Sequence, residues 1–138
     1  MLHFRSLLVA ATLLGGLGLA RAQTPGVGLE LNRVEEAGQS CRIYLVLAND
    51  TDASFTSFLV DLVVFDADGI IQRRLAFDSA PLPAHRTRVK LFDLERLTCA
   101  QVARIHFNDV LECRDQSGKR DCGALVQPTS RARTKLTQ

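Results

Sequence analysis

The 138-residue sequence has no tryptophan, one tyrosine, one methionine and four prolines. With no stacking aromatics beside its alternating basic stripes, a nucleic-acid groove is poorly supported. An excess of one charge sign is also missing. Lys+Arg number 17 against 15 Asp+Glu, and Arg5 and Arg21 fall in a leader that we expect to be removed, which leaves the mature chain formally neutral. A neutral domain exerts no net pull on nucleic acid or an acidic membrane. The sequence contains neither C-x-x-C nor G-x-S-x-G, which weakens thioredoxin-like redox chemistry, a zinc knuckle and serine-type nucleophilic catalysis. Beyond the leader only His85 and His106 remain, on separate elements. Each is expected to be a surface histidine, because a catalytic one needs a positioned partner. The expectation is therefore a protein that is not an enzyme and carries no cofactor.

What is present begins with residues 1–22. A short start carries His3 and Arg5, an apolar run covers residues 7–20 with Gly15, Gly16 and Gly18 inside it, and Ala20-Arg21-Ala22 closes it as an A-x-A cleavage site. That is the pattern of a secretory signal peptide. The run is shorter than the roughly 18 residues a membrane span requires, and nothing later in the chain reaches that length. The expected mature protein is residues 23–138, a single domain that is periplasmic or secreted and holds no membrane after cleavage. All four cysteines lie beyond residue 22, and an even count in an exported chain favours disulfides.

From Leu29 onward apolar residues recur mostly with a period of two between turn-forming residues, the mark of short, half-buried strands. Candidate strands cover residues 29–36, 41–48, 55–65, 70–77, 86–92 and 102–113, with a short helical turn at 94–100. Residues 123–138, with Pro128, are left as either an edge strand or a loose tail. Seven candidates in one domain of 46% hydrophobic and 23% charged residues fit an all-β, immunoglobulin-like two-sheet antiparallel sandwich.

That topology orders the cysteines. Cys113 and Cys122 bracket a polar, Gly-containing loop at one end of the sandwich, while Cys41 and Cys99 come out at the other. Joining Cys41 to Cys113 would stretch a bond limited to roughly 4.4–6.8 Å between α-carbons over the length of a strand. The expected pairs are Cys41 with Cys99 and Cys113 with Cys122, both structural.

Several runs carry a resemblance: Cys41-Arg42 with Asn49, Val64-Phe65-Asp66-Ala67-Asp68-Gly69, Ala80-Pro81-Leu82-Pro83, residues 86–93 and Arg104-Ile105-His106-Phe107-Asn108-Asp109. Together they resemble a functionally uncharacterised family of small exported proteins of Gram-negative bacteria, often headed "Tat pathway signal sequence". The leader lacks the twin arginine of that heading, so the general secretory route is expected. The resemblance implies export, the cysteine framework and a final strand in place of a tail, and no activity.

The acidic turns are the remaining chemistry. Asp66, Asp68, Asp93 and Glu95 end strands at one pole of the expected sandwich and are its candidate metal ligands, since hard cations want several oxygens. Asp-x-Asp-Gly is also ordinary turn chemistry, and the full D-x-D-x-D-G-x5-E loop is absent. Two basic stripes, Arg86, Arg88 and Lys90, and Arg131, Arg133 and Lys135, are expected on different sheets, where such residues discourage edge-to-edge aggregation. The function expected is a binding or accessory module acting through protein contacts. The alternative is a metal-binding protein built on the four acidic residues.

Overall fold

The computed structural model describes residues 24–138. The signal peptide expected at 1–22 lies outside the described residues. Nine strands follow in order: β1 (Val27–Ala37), β2 (Ser40–Asn49), β3 (Ser57–Phe65), β4 (Ile71–Asp78), β5 (Arg86–Glu95), β6 (Arg104–Asp115), β7 (Gly118–Lys119), β8 (Val126–Ser130) and β9 (Lys135–Thr137). They form two sheets, β5-β2-β1-β8 and β4-β3-β6-β7, with β9 also on β6. The all-β sandwich is as expected, but the strand count is nine and not seven.

The alternation of β2 explains the core. Cys41, Ile43, Leu45 and Leu47 are buried on one face, and opposite them lie Phe58, Val60, Leu62 and Val64 of β3. Gly38 and Gly69 close the β1–β2 and β3–β4 turns at φ of 62° and 78°, a left-handed backbone that glycine adopts without steric cost. In the second turn Asp66 Oδ1 accepts from the amides of Asp68 and Ile70, each at 2.9 Å. Asn49, buried at the end of β2, accepts from the Thr51 amide at 3.0 Å, so the 49–52 loop does bond its own backbone.

Besides single register shifts where β1 pairs with β2 and β4 with β3, three features depart from simple alternation. First, β6 bulges twice where it pairs with β3, between Leu59 and Val60 and between Asp61 and Leu62. The extra residues are Leu111 and Asn108, which have no partner in the register. Each bulge flips the following side chains, so Val110 and Cys113 are buried while Leu111, expected beside Ile105 and Phe107, is 49% exposed. Second, the expected helical turn at 94–100 begins later: β5 continues to Glu95, and a 3₁₀ turn occupies Cys99–Gln101.

Third, the last segment is neither a loose tail nor one antiparallel strand. β8 runs parallel to β1 and β9 parallel to β6, so the segment crosses from one sheet to the other through residues 131–134. Of the second basic stripe, Arg131 and Arg133 lie in this crossing and Lys135 lies on β9, in the sheet opposite β5. β5 and β8 share a sheet but occupy its opposite edges.

The disulfides are Cys41–Cys99 and Cys113–Cys122, with α-carbons 4.8 and 6.1 Å apart. The first ties β2 to the turn before β6 and thus one sheet to the other. The second closes the β6–β7 hairpin. Replacing Cys41 and Cys99 together by Ala is expected to destabilise by about 4 kcal/mol, and Cys113 with Cys122 by about 2.5, because the longer loop restricts the unfolded chain more. Urea midpoints of the two double variants check the order.

Candidate functional site

β5 is ten residues long and lies at the free edge of its sheet. It pairs with β2 from Ser40↔Glu95 to Asn49↔Arg86 without a register shift. Directly opposed residues of an antiparallel pair share a face. Leu94, Phe92, Lys90, Arg88 and Arg86 therefore stand on the side of Cys41, Ile43, Leu45, Leu47 and Asn49, the side that faces the core. The apolar half of that row is used: Leu94 is buried, and the Phe92 ring lies 5.5 Å from that of Phe77 on β4. The row continues into Lys90, Arg88 and Arg86, of which Lys90 is half-buried and the two arginines are exposed.

The other side of β5 carries Val89 and Leu91, which are 64% and 51% exposed. Their neighbours on β2 are Val46 and Tyr44. This apolar strip has a rim of charges already paired. Arg42 donates from Nε and Nη2 to both oxygens of Asp93, at 2.7 and 3.0 Å. That bond holds Asp93 below the usual carboxylate range and raises Arg42 further. Tyr44 donates its hydroxyl to Glu35 at 2.5 Å, which raises the phenol's pKa, and Arg33 pairs with the same carboxylate. The arrangement combines exposed apolar side chains, an unpaired backbone edge and a rim of charges already paired.

The sequence shows the alternation Arg86-Thr87-Arg88-Val89-Lys90-Leu91 but not its sense. Only the pairing with β2 tells that the basic side faces inward and the apolar side outward.

The acidic metal candidates share a pole but are not gathered. Asp93 is held by Arg42, and Asp66 accepts from its own turn and from Gln72 Nε2 at 2.7 Å. Asp68 sits beside Asp66 in that turn, and the backbone carbonyl of Glu95 accepts from Arg73 Nη2 at 2.9 Å. Among the described residues no group of three or more His, Cys, Asp and Glu is placed to hold one ion.

Two clusters escaped the sequence reading. His85, at a left-handed φ of 55°, has its Nε2 2.8 Å from Asp52 Oδ1, linking the loops that precede β3 and β5. His106, on the outer face of β6, lies 3.2 Å from Thr137 Oγ1 of β9. The second cluster centres on Asp61, whose side chain is 1% exposed although it points away from the core. Arg74 donates from Nε and Nη2 to its two oxygens at 2.9 and 2.8 Å, and Asn108 Nδ2 donates at 2.6 Å. Asn108 is one of the bulge residues, and the bulge is what aims it. The Arg74 bond, helped by Asn108, outweighs burial and lowers the Asp61 pKa. A lone Asp inside an apolar strand was the available signal; its partners were not.

A two-layer, disulfide-stapled β-sandwich whose ten-residue β5 lies at an open edge is the class these features define. No family model and no curated protein matches the chain. Among solved structures it is similar to IrmA from Escherichia coli, with a TM-score of 0.54 and 14% identity over 76% of this chain and 92% of that one. A likeness at that identity is one of fold, and a fold does not assign a function.

The Asp61 cluster makes a signed prediction. A carboxylate whose folded pKa lies below its ordinary value adds stability above about pH 5 and loses it as the pH falls through the folded value. Arg74→Met removes the first cause of that lowering and leaves burial opposed by Asn108 alone. The variant is expected to melt about 5 °C below the parent at pH 7. The gap should narrow at a second, lower pH beneath the folded pKa of Asp61, where the parent's carboxyl takes up its proton as well. Calorimetry at both pH values checks the sign.

Proposed function

We propose that this chain is a non-enzymatic binding or accessory module, periplasmic or secreted, that works through protein contacts at the free edge of β5. The observation that carries the reading is the pair Val89 and Leu91, exposed side by side on an edge strand that no other element covers. Monomeric proteins rarely leave contiguous apolar surface beside unpaired backbone groups unless it meets a partner. The pre-paired rim supports the same reading, since Arg42, Asp93 and Glu35 need no reorganisation on binding. The two disulfides are consistent with an oxidising compartment, and the leader pattern at 1–22 supports export.

A photo-crosslinking residue placed at 89 or 91, and at 111 as a control on the other sheet, tests the reading in the native compartment. Positions 89 and 91 should give discrete adducts and position 111 none. Adducts from 111 alone, or from no position, overturn it. Val89→Asp should abolish the adduct of a crosslinker at 91 while changing stability by less than about 0.5 kcal/mol, as surface substitutions do.

A further inference from the structure

We infer that the β5 edge accepts an extended segment of a partner protein in which acidic residues alternate with apolar ones. This deepens the proposed function and rests on it. A newcomer strand paired with β5 has its side chains sorted by the same period of two that sorts those of β5. On the core side of the sheet it would meet Arg86, Arg88 and Lys90. On the outer side it would meet Thr87, Val89 and Leu91. None of the three cations makes a side-chain hydrogen bond or ion pair with another described residue. By contrast, Arg42, Arg74, Arg120 and Arg131 are all engaged. Three unengaged cations two residues apart match three acidic side chains at the same spacing, and the apolar residues between them would extend the Val89–Leu91 strip.

The charge pattern also rejects the other occupants. A second copy of β5 would bring its own three cations to the same side, and like charges across a strand pair destabilise it. Residues 1–23 of this chain contain no Asp or Glu, so they lack the complementary charge. The other long edge, β4, carries Arg73, Leu75 and Phe77 on its core side, and Arg73 is spent on the Glu95 carbonyl. β8, at the far edge of the β5 sheet, is five residues long and contains Pro128, which cannot donate to a ladder. β5 is thus the edge with both the length and the free charge.

The test uses the disulfide-bonded protein and two labelled peptides, one alternating Glu with Val and one alternating Lys with Val. At an ionic strength of about 0.01 M, where surface charges act over some 30 Å, the acidic peptide should bind and the basic one should not. Binding should protect β5 amides in an every-other-residue pattern, read by hydrogen exchange. Replacing Arg86→Glu, Arg88→Glu and Lys90→Glu together should weaken the acidic peptide by about tenfold or more and admit the basic one. The neutral set Arg86→Gln, Arg88→Gln and Lys90→Gln serves if the reversed protein misfolds, and should abolish the preference. Equal binding of both peptides, unchanged affinity in the variants, or binding without β5 protection overturns the inference. So does self-association that the acidic peptide fails to compete. Adducts from 89 and 91 with a negative peptide result would leave the protein-contact reading standing and remove this one. Failure of both would remove both.

Discussion

The unbroken register between β2 and β5 is the constraint on which the surface depends. Over ten opposed pairs, from Ser40↔Glu95 to Asn49↔Arg86, no bulge intervenes. Cys41, Ile43, Leu45 and Leu47 must face the core, because together they form much of its apolar mass on that side. The sense of β2 then dictates the sense of β5, and a slip by one residue would exchange its two faces. Such a slip would bring Val89 and Leu91 to the core side of the sheet and move Arg86, Arg88 and Lys90 to its outer side. It would also separate Arg42 from Asp93, whose two-pronged hydrogen bond is geometrically specific. Core packing, the rim ion pair and the inward cations therefore all state one register.

The two disulfides act on this arrangement from opposite ends. Cys41 is the second residue of β2, and its bond to Cys99 fixes the start of that strand against the other sheet. Cys113 lies near the end of β6, beyond both bulges, and its bond to Cys122 fixes the strand's far end after the alternation has been disturbed twice. Two extra residues shift which side chains of the strand face the core. Burial of Cys113 and Cys122 ties the last stretch to the core cluster. Closing only a short loop, this bridge contributes more to defining the end of β6 than to overall stability.

Where alternation was unbroken, the sequence was enough. β2, β3, the Gly38 and Gly69 turns and the cysteine pairing followed from a period of two and from the limited reach of a disulfide. In β6 the same period misled, because Leu111 is apolar and falls four residues after the inward Phe107, as another inward residue would. Bulges carry no residue signature there, and the pairing partner decides. The closing segment escaped for a related reason. Pro128 argued rightly against a central strand, but parallel attachment to β1 and then to β6 depends on contacts with strands about 100 and 30 residues earlier. Of the candidate surface, the sequence displayed the alternating charges of β5 and their restraint on aggregation. It could not display which side faced inward. The acidic pole was legible as a pole and not as a site, since Arg42 and the turn amides, far or local, had already taken Asp93 and Asp66.

Charges pointing inward on an edge strand have a familiar structural reading: they protect a sheet from extension by its own kind. That reading and a binding role are not alternatives, because protection by charge depends on the sign of the newcomer. Proline or a bulge would block any strand. β8 is guarded in that way by Pro128. Three cations block only strands that are neutral or basic on the matching side, and they lower the cost of pairing for an acidic one. The exposed Val89 and Leu91 argue in the same direction, since protection alone would have favoured polar residues on the outer side as well. An edge closed by sign and left apolar on its other face is selective, where a blunted edge is merely inert.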